Sequence, residues 1–209
     1  MSNAVWIGLC GRSGSGKGYV SAVFAALGVP AIDTDAVYRD MTAPADVPSR
    51  CMRDLVEAFG EDVMHADHSL NRRVMADLVF APGGQQAREV LNRITHAHIW
   101  QETCRRADSL HRLGHRFILI DAPLLFESGF DAHCRYTVCV TAPDAICVTR
   151  IMARDGISET DARRRLASQI SAEDLAKRCD YVIVNDGITP VRAQVEKILV
   201  SIQNNGGTE

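Results

Sequence analysis

The chain has 209 residues, of which 46% are hydrophobic, so it can form one α/β domain with insertions or two small domains. Its formal net charge of -3 lacks the basic surplus of nucleic-acid-binding domains, and we expect no nucleic-acid partner. Seven cysteines, without a C-x-x-C pair, favour reduced thiols over a disulfide framework. The sequence shows neither a signal peptide nor a membrane-length apolar run, which predicts a cytoplasmic location and no membrane partner. It does not indicate an oligomeric state.

Short apolar runs alternate with helical segments along the chain, which is the pattern of an α/β fold. The first run, residues 5–10, has almost no polar side chain and is typical of a central parallel strand that is covered on both faces. Helical spacing follows at residues 19–27, and a last helix is expected at about residues 190–202. The sequence predicts a parallel sheet of five strands flanked by helices, with strands at residues 5–10, 31–33, 117–121, 136–140 and 181–184.

Two helical segments interrupt the strand pattern. Residues 38–115 contain no clear strand and are much longer than a crossover requires, so we interpret them as a substrate-binding insertion with helices at 50–59, 72–80 and 85–113. Residues 154–177 are polar and rich in arginine, and we interpret them as a small helical lid. The nucleotide-binding core would then comprise residues 1–37, 116–153 and 178–209.

A glycine-rich loop, GRSGSGKG, occupies residues 11–18 between the first strand and the first helix. Gly11, Gly16 and Lys17 match the phosphate-binding pattern G-x-x-x-x-G-K-[ST], whereas Gly18 replaces its last hydroxyl residue. A chance glycine-rich turn is the alternative, but a strand before the loop and a helix after it favour phosphate binding, because a helix N-terminus attracts anions. We predict that a nucleotide contacts Gly11, Arg12, Ser13, Gly14, Ser15, Gly16, Lys17, Gly18 and Tyr19.

Carboxylates follow two of the predicted strands. Asp33 and Asp35 come after the second strand, and Asp121 ends the third. Ligands of open α/β sheets bind beyond the carboxyl ends of the strands, so these groups are candidates for binding Mg²⁺ or for accepting a proton. A helix N-cap is an equal alternative for the first pair, and a turn carboxylate before Pro123 is an equal alternative for Asp121.

Several segments in this order resemble those of the dephospho-coenzyme A kinases, and the resemblance covers nearly the whole chain. The most distinctive is DAPLLFE at residues 121–127, which is similar to the family segment D-x-P-L-L-F-E. The other matching segments are 7–11 with 14–17, Ile32–Asp35, Asn71–Arg73 with Val79 and Phe80, His96 with Ile99, Arg154 with Asp155, Arg165 with Gln169, and 180–187.

The resemblance implies a phosphate-loop kinase fold and transfer of phosphate from ATP, with Mg²⁺, to the ribose 3′-hydroxyl of dephospho-coenzyme A. It implies that Asp35 is the general base, that Lys17 binds the β- and γ-phosphates, and that Arg154 closes over them. Asn185 and Gly187 would lie near the adenine. The acceptor would contact Asp33, Arg73, His96, Pro123, Leu124 and Glu127, and the metal would bind to Asp33 and Asp121, directly or through water.

Two positions depart from the family pattern. Gly18 stands where the family has Ser or Thr, and Ala97 stands where a proline usually follows the histidine of a turn, here His96. Gly18 leaves open a second function, in which a weakened or inactive relative binds a nucleotide or a coenzyme A precursor. Another small-molecule kinase of the phosphate-loop group is a third candidate, although the segment at residues 121–127 argues against it.

Overall fold

The fold is that of a computed structural model, which describes residues 4–205. The first three and last four residues, which the sequence analysis assigned to the nucleotide-binding core, lie outside the described residues. The chain divides into two compact units: the first comprises the residues up to Ile32 and those from Ala107 onward, and the second comprises Asp33–Arg106.

The described residues form strands that are separated, in two places, by several consecutive helices. No helix between residues 4 and 205 is both long enough and apolar enough to cross a membrane. In chain order the elements are β1 Val5–Gly11, α1 Lys17–Ala26, β2 Ala31–Asp33, α2 Thr34–Met41, α3 Arg50–Phe59, α4 Arg72–Phe80, α5 Gln85–Arg112, β3 Phe117–Asp121, β4 Tyr136–Thr141, α6 Asp144–Asp155, α7 Glu159–Ala167, α8 Ala172–Lys177, β5 Tyr181–Val184 and α9 Val191–Asn205.

The five strands form one sheet in the order β2-β3-β1-β4-β5, which confirms the predicted sheet. β1 pairs in parallel with β3 on one side and with β4 on the other, and β4 pairs in parallel with β5. The apolar run of β1 is therefore buried at the centre, with Ile7 and Leu9 completely inaccessible to solvent. One face of the sheet packs against α1 and α9 through Val20, Phe24 and the apolar side of α9. β3 and β2 lie on one side of β1 and β4 and β5 on the other, so the strand order switches at β1 and the ligand-binding edge is at the carboxyl end of this strand.

Element ends differ from the sequence-based expectations by a few residues. Helix α1 begins at Lys17 rather than residue 19, and α9 extends to Asn205. The sequence analysis did not assign α2, which starts directly after β2. Asp33 caps this helix, because its carboxylate accepts hydrogen bonds from the N–H groups of Asp35 and Ala36.

The second unit is helical, and the helices predicted at residues 50–59 and 72–80 match α3 and α4. They pack around a small core that includes Met52, Leu55 and Val63. The expected turn at His96 is wrong, since His96 and Ala97 lie inside α5, which continues for 28 residues. Alanine is the most favourable residue in a helix interior, whereas the usual proline would remove a hydrogen bond there.

The segment predicted as a lid begins inside a helix. Helix α6, which the sequence analysis did not assign, extends to Asp155, and Gly156 ends it in a left-handed conformation with φ 65. Helices α7 and α8 make up most of the rest of the segment. Ala162 and Leu166 of α7 pack against Cys147, Val148 and Ile151 of α6, so an apolar contact joins α7 to α6 within the first unit.

An ion pair on α5 makes stability depend on pH. The Glu102 carboxylate binds Arg105 and Arg106, and these bonds lower its pKa to about 2, while Arg106 also bonds to Asp40 at 2.7 Å. A lowered pKa in the folded state stabilises the fold above the unfolded pKa of about 4.3, and this contribution falls as the pH approaches the folded value. We expect Glu102→Gln to reduce the free energy of unfolding by about 1 kcal/mol at pH 7.

Chemical denaturation between pH 7 and pH 3 measures this effect. The difference between wild type and Glu102→Gln should shrink as the pH falls below about 5. Glu89→Gln on the same helix is the control, because Glu89 is exposed and contacts Gln85 only through a 3.1 Å hydrogen bond. We expect that control to change the free energy of unfolding by less than about 0.5 kcal/mol. A pH-independent difference for Glu102→Gln would contradict the prediction.

Candidate active site

At two positions of the loop between β1 and α1, the backbone has a conformation that only glycine adopts readily. Gly14 has φ 78 and Gly16 has φ 87, both in the left-handed region. The surroundings also exclude side chains, since a Cβ on Gly14 would lie 2.4 Å from the carbonyl oxygen of Cys147, and a Cβ on Gly16 would lie 2.0 Å from Nδ2 of Asn185. The local packing thus explains why the sequence has glycine here.

Two side chains from elsewhere in the first unit support the loop from behind. The Arg150 guanidinium donates to the carbonyl oxygens of Gly14 and Ser15 at 3.3 and 3.2 Å, and also to that of Asn185 at 3.2 Å. The buried Asn185 side chain donates to the Ser15 carbonyl at 2.8 Å. These bonds satisfy the carbonyl oxygens that the loop turns toward the protein.

Whereas the carbonyl oxygens of the loop are bonded to the protein, several of its N–H groups are available to a ligand. Among residues 4–205, the N–H groups of Gly16, Lys17 and Gly18 donate no hydrogen bond. They belong to the first turn of α1, where unpaired N–H groups and the helix dipole attract an anion. Lys17 adds a positive charge, and its ammonium forms an ion pair with the Asp121 carboxylate at the end of β3. The geometry is that of a phosphate-binding loop.

Oxygen donors suited to Mg²⁺ are present in the same unit. Asp121 is 5% exposed, and the Ser15 hydroxyl is buried without a hydrogen-bond partner among the described residues. Gly18 contributes no ligand atom, and a Cβ added there would meet nothing within 4 Å. Oxygen atoms are the donors that Mg²⁺ prefers, so the Asp121 carboxylate and the Ser15 hydroxyl are of the type that fits a divalent metal despite Gly18.

The segment after β4 contacts the loop through several polar groups. Arg12 donates to the Asp144 carboxylate at 2.8 Å and to the Leu166 carbonyl at 3.0 Å. The N–H of Ser13 donates to the side-chain oxygen of Gln169 at 3.0 Å. Arg154 lies at the same place, 3.3 Å from the Ser13 hydroxyl, where it also binds the Asp155 carboxylate. The structure thus brings the predicted lid arginine to the phosphate loop.

The segment that follows β3 contains both exposed and buried residues. Pro123, Leu124 and Glu127 are exposed, as a ligand-contacting role requires. Leu125 between them is completely buried under Gly8, where a Cβ would approach it to 2.8 Å. Gly187 is likewise exposed, with φ 83 in the turn after β5.

The two aspartates that follow β2 have different environments within the second unit. One carboxylate oxygen of Asp33 caps α2, and the other lies 3.7 Å from Arg39. Asp35 is exposed in the first turn of α2, and its carboxylate makes no hydrogen bond or ion pair within the described part of the chain. Asp35 is therefore the one of the two that is free to accept a proton.

Arg73 and His96 lie on other helices of the second unit, α4 and α5. Arg73 is exposed, and partial burial lowers the pKa of His96, which favours its neutral form. Within residues 4–205, no hydrogen bond or ion pair joins either of them to Asp33 or Asp35, so direct contacts do not bring these four residues together.

Comparison with known proteins shows which family has this phosphate loop and sheet. The family model described as dephospho-CoA kinase matches residues 5–190. The chain belongs to the dephospho-CoA kinase family. It is thus a kinase with a role in coenzyme A biosynthesis, and the matches give no support to the non-catalytic alternative.

Relatives and solved structures agree with the family. A dephospho-CoA kinase from Corynebacterium efficiens is 39% identical over 197 residues, which are 94% of this chain and 96% of that protein. A solved structure from Thermus thermophilus superposes with a TM-score of 0.78 at 28% identity, covering 95% of this chain and 97% of that one. The dephospho-CoA kinase of Campylobacter jejuni, at 20% identity, has the same fold with a TM-score of 0.59, covering 96% and 98% of the two chains.

Sequence reasoning missed Arg150, although its guanidinium bonds to three backbone carbonyls around the kinase's phosphate loop. An arginine inside a helix carries no motif, and only the packing of α6 against the loop reveals its role. Asn185 was predicted near the adenine, but its side chain is buried and holds the loop. The pairing of Gln169 with the Ser13 N–H also has no local sequence signal.

The close approach of Asn185 to Gly16 predicts a selective effect of alanine. Gly16→Ala would place a methyl group 2.0 Å from the Asn185 side chain at a positive φ, so we expect it to displace the loop support. The free energy of unfolding should fall by about 1–3 kcal/mol, and binding of a non-hydrolysable ATP analogue should be lost. Thermal unfolding and calorimetric titration measure the two effects.

Gly18→Ala is the matched control, because its methyl group meets no atom within 4 Å. We expect it to retain nucleotide binding and to gain up to about 1 kcal/mol of stability through its higher helix propensity. Equal loss of binding in the two variants would contradict the steric explanation.

Proposed function

We propose that this kinase transfers the γ-phosphoryl group of ATP to the ribose 3′-hydroxyl of dephospho-coenzyme A and forms coenzyme A and ADP. The observation that carries the proposal is the phosphate loop of a dephospho-CoA kinase family member, in which the N–H groups of Gly16, Lys17 and Gly18 are unpaired among the described residues and Lys17 lies beside Asp121. In the transfer, the acceptor oxygen bonds to the γ-phosphorus while the bond from phosphorus to the β–γ bridging oxygen breaks. ADP is the leaving group.

The loop and the lid provide the groups that bind ATP in this proposal. The N–H groups of Gly16, Lys17 and Gly18, together with the Lys17 ammonium, would hold the β- and γ-phosphates and neutralise their charge. Arg154 already lies at Ser13 and would turn from the Asp155 carboxylate to the phosphates. The exposed turn at Gly187 and the adjacent Asn185 would border the adenine. Exclusion of water by the lid would protect ATP from hydrolysis.

Asp35 would accept the proton of the acceptor hydroxyl. Its exposed, unpaired carboxylate supports this role, whereas one carboxylate oxygen of Asp33 accepts the hydrogen bonds that cap α2. The acceptor would contact Arg73, whose charge suits a phosphate of the substrate, and His96 in its neutral form. Asp33 is a further proposed contact in the second unit. In the first unit the proposed acceptor contacts are the exposed Pro123, Leu124 and Glu127.

Mg²⁺ would accompany ATP, as is general for kinases of this fold. Asp121 would hold it, directly or through water, and the unpaired Ser15 hydroxyl is a second oxygen donor in the loop. Asp33 remains a proposed ligand through its uncapped oxygen. When bound, the metal neutralises charge on the phosphate oxygens. Gly18 adds nothing to this set, so we expect weaker Mg²⁺ binding than with a hydroxyl at this position.

A cytoplasmic location is also proposed. All seven cysteines are free thiols, which suits a reducing compartment, and the 39% identical relative from Corynebacterium efficiens is a bacterial kinase. The partners are the two small-molecule substrates.

A coupled assay for ADP release, with and without dephospho-coenzyme A, tests the function. We expect turnover that depends on the acceptor, and a product whose phosphorus resonance and chromatographic mobility match those of coenzyme A. Shikimate serves as the control acceptor, because shikimate kinases share this fold at TM-scores near 0.5. Turnover with shikimate but not with dephospho-coenzyme A, or no turnover with either at saturating Mg²⁺, would refute the proposal.

The role of Asp35 predicts a large loss of rate with little loss of binding. Asp35→Asn removes the proton acceptor but keeps the size of the side chain, so kcat should fall by about 10²–10⁴-fold while the KM for ATP changes little. Asp40→Asn is a control at another exposed carboxylate of α2 and should stay close to wild-type activity. Full activity of Asp35→Asn would exclude Asp35 as the base.

The missing hydroxyl predicts that one substitution improves the enzyme. Gly18→Ser fits without a clash and supplies an oxygen donor, so we expect the Mg²⁺ concentration for half-maximal activity to fall by about 10- to 100-fold. Gly18→Ala is the matched control, since it changes helix propensity in the same direction without adding an oxygen. A steady-state Mg²⁺ titration at fixed ATP measures the effect. Identical titrations for the two variants would show that the hydroxyl is not what this loop lacks.

A further inference from the structure

Three cysteines that are far apart in the sequence meet inside the first unit. Cys10 lies in β1, Cys139 in β4 and Cys179 just before β5. Cys10 and Cys139 are register partners in adjacent parallel strands, so their side chains leave the same face of the sheet. The sulfur atoms of Cys10 and Cys179 are 3.5 Å apart, and all three sulfur atoms lie within 4.8 Å of one another.

The site is enclosed but can be reached from one side. Cys10 and Cys139 are at most 1% exposed, whereas Cys179 is partly exposed. The face they occupy is opposite to the one that packs on α1 and α9, because Ile7, Leu9 and Val138 alternate with them along the strands. None of the groups that we assign to phosphate transfer belongs to this cluster.

The spacing of the sulfur atoms suits a metal ion. A Zn–S bond of about 2.3 Å requires sulfur atoms about 3.8–4.0 Å apart in tetrahedral or trigonal geometry. The sulfur atoms of Cys10 and Cys179 are 3.5 Å apart and no two of the three are more than 4.8 Å apart, so small shifts would reach this spacing. Thiolates select soft d¹⁰ ions such as Zn²⁺ and Cu⁺ over Mg²⁺.

We propose that Cys10, Cys139 and Cys179 form a binding site for a thiophilic d¹⁰ metal ion. Zn²⁺ is the favoured ion, because three thiolates with a divalent ion leave one net negative charge in the interior, whereas Cu⁺ leaves two. The partly exposed Cys179 side leaves a fourth position to water. The site is independent of the proposed kinase reaction.

Thiolates, not thiols, are the form of cysteine that binds metals. The three thiols would therefore give up their protons as the ion binds.

A metal here would connect three parts of the sheet directly behind the phosphate loop. Cys10 precedes Gly11, the first residue of the loop motif, and Cys139 and Cys179 lie in or beside the next two strands. An ion that binds only the folded state stabilises it by mass action. We therefore expect a higher melting temperature with the metal than without it.

The test uses the full chain, reduced and freed of metal by a chelator. Zn²⁺ is titrated in competition with a colorimetric chelator, and Cu⁺ in competition with a Cu⁺-specific chelator without oxygen. We expect one equivalent of ion per chain in at least one arm, with proton release and a thiolate-to-metal absorption band when Cd²⁺ replaces Zn²⁺. The two arms identify the ion. No binding above that of solvent-exposed histidines and carboxylates in either arm would overturn the proposal.

Two further measurements locate the ion. Cys10→Ala and Cys139→Ala should each lower the affinity by more than about 100-fold, beyond the cost of losing an outer-shell partner. Cys147→Ala, at a buried cysteine outside the cluster, should leave the affinity unchanged. An equal loss in Cys147→Ala would overturn the assignment.

Alkylation of the wild-type chain, read by peptide mass spectrometry, avoids dependence on variants that fail to fold. The ion should protect the partly exposed Cys179 but not the partly exposed Cys104 and Cys134. Unchanged alkylation of Cys179 would overturn the site. A second result would also overturn the site. In it, hydrogen peroxide joins Cys10 and Cys179 in a disulfide, and the reduced protein binds no ion.

Discussion

The shape of the phosphate loop depends on hydrogen bonds to the carbonyl oxygens of Gly14 and Ser15. A loop that offers its N–H groups to phosphate must turn carbonyl groups toward the protein, where each needs a donor. Arg150 and Asn185 supply those donors from α6 and from the segment after β5. The loop shape therefore depends on elements that lie more than 130 residues away in the sequence, and the glycines are necessary because Asn185 and the backbone of Cys147 occupy the adjacent space.

Charge at the loop is balanced before any nucleotide binds. Lys17 pairs with Asp121, which is buried at the end of β3, so neither charge is isolated in the interior. A phosphate that approaches the first turn of α1 would compete with this carboxylate for the ammonium. A divalent cation would offset that competition by neutralising the carboxylate, which gives a physical reason for coupling metal and nucleotide binding even where Gly18 contributes no ligand.

The contacts between the lid segment and the loop are numerous but individually weak. Arg12 pairs with an Asp144 side chain that is 62% exposed, and Gln169 provides one neutral hydrogen bond to Ser13. Exposed ion pairs contribute about 0–1 kcal/mol each, so breaking them costs little. These polar contacts can therefore be exchanged at little cost, whereas the apolar packing of Leu166 against α6 holds α7 in place within the first unit.

The sequence by itself determined the five-stranded parallel sheet, the phosphate loop and the family, because strand hydrophobicity, left-handed glycines and the segment at residues 121–127 are all encoded locally. Helical spacing predicted a helix over residues 85–113, which α5 confirms through His96, whereas the family resemblance had suggested a turn there. The sequence left the role of Asp33 open between a ligand and a helix cap, and only the tertiary structure decided that Asp33 caps α2. The same holds for Arg150 and for the cluster around Cys139, since their partners come from distant strands and helices. Contacts of this kind depend on how elements pack, and no short stretch of sequence records packing.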